Sequence, residues 1–524
     1  PYNALSSGSW STLLLFGLLP WVLGGIGRAG RIAPFGRLGG AVGEGVLEAS
    51  WTREVLALGL PIALLVAFVP FTIFVVIAMV LAVAVGSLLS GWPGGSPRMF
   101  AVVAGALGVA LALNLPWLVD ARAGQASWAW SSGTRPTHPE VPSIGELLRF
   151  DTGHLGSAPL GWALPVAGLV PLLLARGPRW AWAVRGLCLY LAAVAAVWAS
   201  GEGWVPFPLP RPEVVLVAGA LGLAVSTSMG VAAIERDLRT YRFGWRQLAP
   251  VTAVVAVVLG VIPITGAVLD GDWSMPSVDF NRQFAQQPAP AAPQRVLWLG
   301  HDDVITVAGR SFGDDLTVSV SPSLTSSVTD RWASTAEPAD PLIAEALELA
   351  IEGGTSRLGR LLAPFGIGEI IVLEQSAPAP ATGLVEPVPR DVLAALTEQL
   401  DLAELDVSPG VTRYRNTAVL PVASLVPSGT TSGTSLRGYA GGRDIAPDGW
   451  LEPTSDARTE FTGPVDTTQE VYVAVPNSSA WRLQVNDQVA SKSPALEWAV
   501  AFQPSRSGDA VLSHRTSTSH RLFM

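Results

Sequence analysis

The chain has 524 residues, of which 49% are hydrophobic and 14% charged, and its mean hydropathy is +0.40. A soluble domain is about 25% charged, so a single ordinary water-soluble domain is excluded. The net charge of -9 argues against a nucleic-acid partner, and one cysteine, Cys188, leaves neither an intrachain disulfide nor a cysteine zinc site.

The chain begins at Pro1 rather than Met and reads as a piece of a longer protein. Apolar runs at 10–27, 99–119, 159–176, 180–199, 214–234 and 247–269 approach the roughly 20 residues that a spanning helix needs. The uncharged run from Leu56 to Ser90 is too long for one span. Pro70 near its middle removes a backbone donor, which predicts two helices meeting at a tight turn near 69–71. Eight helices then satisfy the positive-inside rule. Arg28, Arg31, Arg37, Arg53, Arg98, Arg176, Arg179, Arg236, Arg239, Arg242 and Arg246 fall on one side, the cytoplasmic one. The other side holds Arg122, Arg135, Arg149 and Arg211, diluted by Asp120, Glu140, Glu146 and Asp151. The fragment is therefore expected to begin outside, as a multi-pass protein of the cell membrane, with everything after about residue 270 extracytoplasmic.

Residues 28–54 read as a cytoplasmic connector whose arginines meet anionic lipid. Residues 120–158 form the outer connection where aromatics and acids crowd at the membrane edge. Trp128, Trp130, Glu140, Glu146 and Asp151 are its candidate glycan-binding residues. Tryptophan faces stack on sugars, and carboxylates accept from hydroxyls or hold a metal-bound phosphate. Trp128 and Trp130 share a face only if the segment is extended. The competing reading is an interfacial aromatic belt with solvated charges. Ser143 and Glu146 have the spacing of a capping box. Within the helices, Asn114 and Ser226-Thr227-Ser228 read as interhelical hydrogen-bonding groups, and Cys188 as a small core residue.

After residue 270 the composition becomes that of a soluble protein. The expected division is a membrane domain over 1–272 with about eight helices, and a Pro/Ala linker over 273–294. An α/β domain over 295–425, a loop or linker over 426–460 and a β-sandwich-like module over 461–524 follow. The fold class is thus a polytopic α-helical membrane domain followed by an extracytoplasmic α/β domain and a β-sandwich module. Arg295–Gly300 and Ile370–Leu373 read as buried strands, Leu316–Ser321 as a half-buried one, and 341–352, 355–364 and 392–400 as helices. Residues 428–435 are all Ser, Thr or Gly.

The chain contains no GxxxxGK[ST], GxSxG or HExxH motif. Asp270-Gly271-Asp272, His301-Asp302-Asp303 and Gly313-Asp314-Asp315 are acid clusters in turns, which are usually solvated. No metal-ligand set is predicted.

Four segments carry a resemblance: Gln294–Gly300, Pro364–Val372, Glu398–Leu402 and Tyr414–Ala418. In that order they resemble parts of large actinobacterial membrane proteins identified as family 2 glycosyltransferases. Those proteins have a cytoplasmic catalytic domain, many membrane helices and an extracytoplasmic region. A second likeness runs to membrane arabinofuranosyltransferases that use polyprenyl-phosphate sugars. Both resemblances imply that the catalytic acids lie upstream of Pro1, so no catalytic residue is carried onto this chain. No cofactor is expected in the fragment, and any divalent metal would belong to the upstream domain. The expected function is the membrane and extracytoplasmic part of a cell-envelope glycosyltransferase in polysaccharide biosynthesis. It would anchor the enzyme and bind or guide a glycan or polyprenyl-linked sugar. The alternative is a non-enzymatic envelope scaffold or a glycan- or protein-binding membrane protein.

Overall fold

The computed structural model forms two compact units, Pro1–Met275 and Pro276–Met524. It describes residues 9–32, 50–91, 96–123, 142–152, 160–205, 209–236 and 248–270 of the first. In the second it describes 279–515 apart from 289, 302–303, 306, 314–315, 328–329, 331–336, 379–384, 443–445 and 456–457.

The first unit is helical. Its long helices are α1 (Trp10–Ala29), α2 (Trp51–Phe68), α3 (Thr72–Leu89) and α4 (Ser96–Ala123). After a short α5 (Ile144–Leu148) come α6 (Ala163–Leu174), α7 (Pro178–Gly201), α8 (Pro212–Arg236) and α9 (Leu248–Asp270). Among the described residues, six helical segments, within α1, α2, α3, α4, α7 and α8, are long and apolar enough to cross a membrane, so the chain is a multi-pass membrane protein. The run from 56 to 90 breaks as its proline dictates: α2 stops at Phe68, and α3 restarts at Thr72 after a turn through Val69-Pro70-Phe71. The run at 159–176 is shorter than expected. A single 3-10 turn, Leu160–Trp162, precedes α6, and Ala175 is already extended. Gly177 at φ +57 turns the chain directly into Pro178, the first residue of α7. At 1.5 Å per residue these 15 residues reach about 22 Å, less than the roughly 30 Å hydrocarbon layer.

Lipid gives helices no hydrophobic reason to associate, so close packing and hydrogen bonds must do it. At the α7–α8 crossing, a Cβ on Gly186 would sit 2.4 Å from the Gly222 carbonyl oxygen, and one on Gly222 would sit 2.4 Å from that of Gly186. Only glycine permits this approach. The Ser226 hydroxyl donates to the Gly168 carbonyl at 2.7 Å, tying α8 to α6. The Asn114 amide donates to the Ala63 carbonyl at 3.1 Å, tying α4 to α2.

Among its described residues the second unit holds three sheets. A six-stranded mixed sheet has the order β2-β3-β1-β4-β6-β5. Its strands are β1 (Arg295–His301), β2 (Arg310–Phe312), β3 (Leu316–Ser321), β4 (Ile367–Leu373), β5 (Leu402–Ser408) and β6 (Val411–Asn416). Central β1 and β4 are parallel, and the other pairs are antiparallel. The crossover between β1 and β4 carries α11 (Asp340–Ile351) and α12 (Leu358–Leu362); α13 (Arg390–Thr397) follows β4. Leu297, Leu299, Ile370 and Val372 pack with Ile343, Leu347, Val392 and Leu396 of these helices. The opposite face carries Val296, Trp298, Ile371 and Leu373.

That opposite face corrects the expected linker. Residues 280–284 form α10 (Phe280–Phe284), started by Asp279, whose carboxylate accepts from the Arg282 N–H at 2.9 Å. Phe280 and Phe284 are buried against Trp298, with the Phe284 and Trp298 rings 5.9 Å apart in an edge arrangement. Residues following the mouth of the last helix thus supply part of a core. Strand β3 also departs from its pattern. Ser319 and Ser321 are the buried residues, while Val318 and Val320 are half-buried. The buried serines are satisfied: the Trp298 indole N–H donates to Ser321 Oγ at 2.7 Å, and the Ser319 hydroxyl donates to the Ala308 carbonyl.

The remaining strands form a β-sandwich of two five-stranded sheets, β14-β15-β11-β7-β8 and β13-β12-β16-β10-β9. The first comprises β7 (Ala423–Pro427), β8 (Gly449–Trp450), β11 (Gln469–Val473), β14 (Ser491–Ala495) and β15 (Ala499–Gln503). The second comprises β9 (Glu452–Pro453), β10 (Glu460–Val465), β12 (Trp481–Val485), β13 (Gln488–Val489) and β16 (Gly508–His514). The sandwich therefore begins at Ala423 rather than 461. The expected loop over 426–460 holds the end of β7, the helix α14 (Leu436–Gly441), β8 and β9. Strand β7 pairs with β11 along its whole length, Gln469 opposite Pro427 and Val473 opposite Ala423. Nor are the mixed sheet and the sandwich separate bodies. Trp498 packs against Phe365 in a tilted arrangement with centroids 5.1 Å apart, and the Tyr472 hydroxyl donates to the Pro364 carbonyl at 2.5 Å. One apolar cluster runs through both.

Candidate functional site

Of the connection over 120–158, the described residues are 120–123, which end α4, and 142–152, which a local rule builds. Ser143 Oγ accepts from the Glu146 N–H at 3.4 Å, and the Glu146 carboxylate accepts from the Ser143 N–H at 2.7 Å. This reciprocal box starts α5. The Ser143 hydroxyl also donates to the Glu146 carboxylate at 2.9 Å, and this bond, followed by the one from the Ser143 N–H, holds the Glu146 carboxyl below its ordinary value of 4.5. Arg149 closes the turn. Its guanidinium donates to Asp151 at 2.9 and 3.1 Å and lies 4.0 Å from Glu146.

The turn is pinned to α7. Leu147 is fully buried, the Tyr190 hydroxyl donates to the Leu148 carbonyl, and the Phe150 and Tyr190 rings lie 5.6 Å apart. Phe150 takes φ +57, a left-handed conformation that non-glycine residues rarely adopt. The result is a polar turn packed against the middle of an apolar helix, at Tyr190 of α7.

Of the five candidate glycan-binding residues, Glu146 and Asp151 are brought together on either side of Arg149. Trp128, Trp130 and Glu140 lie outside the described residues. Both described acids have structural partners, so neither is a bare carboxylate. Glu146 is nonetheless 41% exposed and has acceptor capacity left for hydroxyls. Among the described residues, no group of three His, Cys, Asp or Glu could hold a metal ion. His301 ends β1 and its ring nitrogen pairs with the Pro387 carbonyl at 3.2 Å; Asp302, Asp303, Asp314 and Asp315 lie outside the described residues.

Several buried polar groups were not anticipated. Arg185, on α7, is 3% exposed; its Nε donates to Ser87 Oγ of α3 at 2.8 Å, and its guanidinium lies 5.2 Å from the Trp182 ring centre. Arg413 and Glu369 form an ion pair at 2.7 Å with side chains 7% and 8% exposed. Glu470, 1% exposed, accepts from Thr431 N–H and Oγ at 2.5 and 2.7 Å and from Ser432 Oγ at 2.7 Å. The Ser/Thr/Gly segment at 428–435 thus wraps a buried carboxylate. Its signal was present in the run of small donors opposite an acid at the start of an apolar strand.

No family model matches the chain, and no curated protein matches it. Among solved structures, it is similar to arabinofuranosyltransferase AftD from Mycobacteria, at 12% identity and a TM-score of 0.41, covering 97% of this chain and 47% of that one. An arginine-to-serine mutant of the same enzyme gives 13% identity and a TM-score of 0.38, with 97% and 49% coverage. The chain spans about half the length of these enzymes.

Proposed function

We propose that this chain is the membrane and extracytoplasmic part of a cell-envelope glycosyltransferase, in which it anchors the enzyme and guides a glycan or polyprenyl-linked sugar along the outer membrane face. The observation that carries the reading is the turn at 143–151. Its two acids are fixed by Ser143 and Arg149 and tied to α7 through Tyr190. Carboxylates held in place before a ligand arrives cost less to order on binding. Trp128, Trp130 and Glu140 belong to the same connection and would add stacking faces and a further acceptor.

The arginine distribution supports the orientation. With Arg176 and Arg179 on the cytoplasmic side, the short α6 segment crosses where the bilayer thins or flanking residues fill the gap. The second unit, with its own core, then lies outside.

The test is Asp151→Asn in cells. The substitution keeps the volume, removes the charge and loosens Arg149. Envelope glycan should fall while the amount of protein in the membrane stays constant. Normal glycan at normal protein level would remove the turn from the account. Orientation is checked with Ser505→Cys, an exposed position, read against the parent carrying Cys188. An impermeant thiol reagent should label it from outside the cell, and labelling from the cytoplasmic side alone would reverse the topology.

A further inference from the structure

The β-sandwich has an open cavity of about 450 Å³ where the chain crosses from β13 to β14, the edge strands of its two sheets. That volume suits one small ligand. Trp481 and Phe502, both buried in the sandwich core, floor the cavity, Pro494 lines it, Val489 stands 54% exposed at the rim, and Asn477 and Ser479 add an amide and a hydroxyl. Two basic residues line the cavity, Arg482 and Lys492, and none of the residues lining it is acidic. In a chain of net charge -9 this is a local inversion of sign. Lys492 is also the chain's single lysine, where every other basic side chain apart from five histidines is arginine. Its Nζ donates to the Ser478 carbonyl, which fixes the ammonium at the cavity edge and leaves two of its three donors for a ligand. Burial lowers the Lys492 pKa, a cost that an anion beside it would offset.

We infer that this cavity binds one anionic sugar unit. Lys492 and Arg482 take its carboxylate or phosphate, Asn477 and Ser479 take hydroxyls, and Pro494 and Val489 take the C–H face of the ring. The site is in the sandwich, separate from the turn at 143–151, and does not depend on the glycosyltransferase reading.

The test uses the full chain in nanodiscs, with binding measured by calorimetry and ligand-observed NMR. The probes are glucuronate, glucose 6-phosphate, glucose and inorganic phosphate. Glucuronate and glucose 6-phosphate separate a carboxylate ligand from a phosphate ligand. At least one of them should bind, more tightly than glucose or bare phosphate, and should weaken at least about tenfold in Lys492→Gln and Arg482→Gln. Lys492→Arg should keep most of the affinity. An unchanged melting temperature in each variant separates loss of binding from loss of fold. No binding of either charged sugar, equal binding of glucose, or binding of inorganic phosphate alone would overturn the inference. Affinity unchanged in both charge-removing variants would also overturn it, and would leave Lys492 as an edge-strand lysine that discourages pairing with another chain.

Discussion

Trp498 packs against Phe365, ring centroids 5.1 Å apart, and this contact joins the turn between β14 and β15 to the residues entering β4. It makes the mixed sheet and the sandwich one cooperative body. Phe365→Ala should therefore destabilise both together, by about 3–5 kcal/mol. Calorimetry should show one transition moving to lower temperature. Two separate transitions, with only one displaced, would mean that the layers melt independently.

The second unit should be separable from the first, provided α10 goes with it. A fragment of residues 276–524 keeps Phe280 and Phe284 over Trp298; a fragment of 291–524 strips that face. Each buried phenylalanine contributes about 2–3 kcal/mol. The longer fragment should be soluble and melt cooperatively, and the shorter should melt lower or aggregate. Equal melting of both would remove α10 from the core.

Glu146, in a short helix that is not one of the candidate spans, supplies a pH dependence. Its folded pKa is lowered, chiefly by the Ser143 hydrogen bonds. A group with a depressed folded value stabilises the native state above its unfolded value of 4.5, and that contribution disappears as pH falls through the lower folded value. In carboxylate-labelled protein, carbon NMR should show Glu146 still ionised below pH 4.5. Ser143→Ala should move its titration back up. An ordinary titration in the parent would contradict the capping geometry.

Gly186 and Gly222 define the α7–α8 crossing. A methyl at Gly186 meets a backbone carbonyl, which cannot rotate away, so Gly186→Ala should lower the detergent melting temperature of the membrane unit. An exposed control, Gly108→Ala, has nothing within 4 Å and should leave it unchanged. Equal behaviour of the two would mean that the helices are not held at this distance.

Much of this architecture could be read from residue order alone, because its signals are local. Apolar runs gave the helices, Pro70 gave the break, and the unbroken runs at 296–299 and 370–373 gave two strands buried on both faces. The departures were long-range. Phe280 and Phe284 look like linker residues until Trp298, 14 positions after Phe284, folds back over them. Ala423–Pro427 is too short a run to assign to a sheet without its partner β11, more than forty residues on. Ser319 and Ser321 face inward because an indole and a carbonyl wait for them, and alternation alone points the valines there instead. At the candidate site, the Ser143–Glu146 cap was legible as a spacing. Arg149 as the shared partner of Glu146 and Asp151 was not, since no periodicity reports an ion pair across a turn.

The central claim is that the outer connection handles a glycan, and direct binding tests it. Chain in nanodiscs is titrated with a polyprenyl-phosphate-linked sugar and with the same polyprenyl phosphate lacking the sugar. The parent is compared with a double variant carrying Trp128→Leu and Trp130→Leu, which keeps apolar area but removes the flat faces. Stacking contributes about 1 kcal/mol per ring, so the double variant should lose at least about tenfold in affinity for the sugar-bearing lipid. Its affinity for the sugar-free lipid should be unchanged. Equal affinity of parent and variant for the sugar-bearing lipid would contradict the account and leave the two tryptophans as membrane anchors.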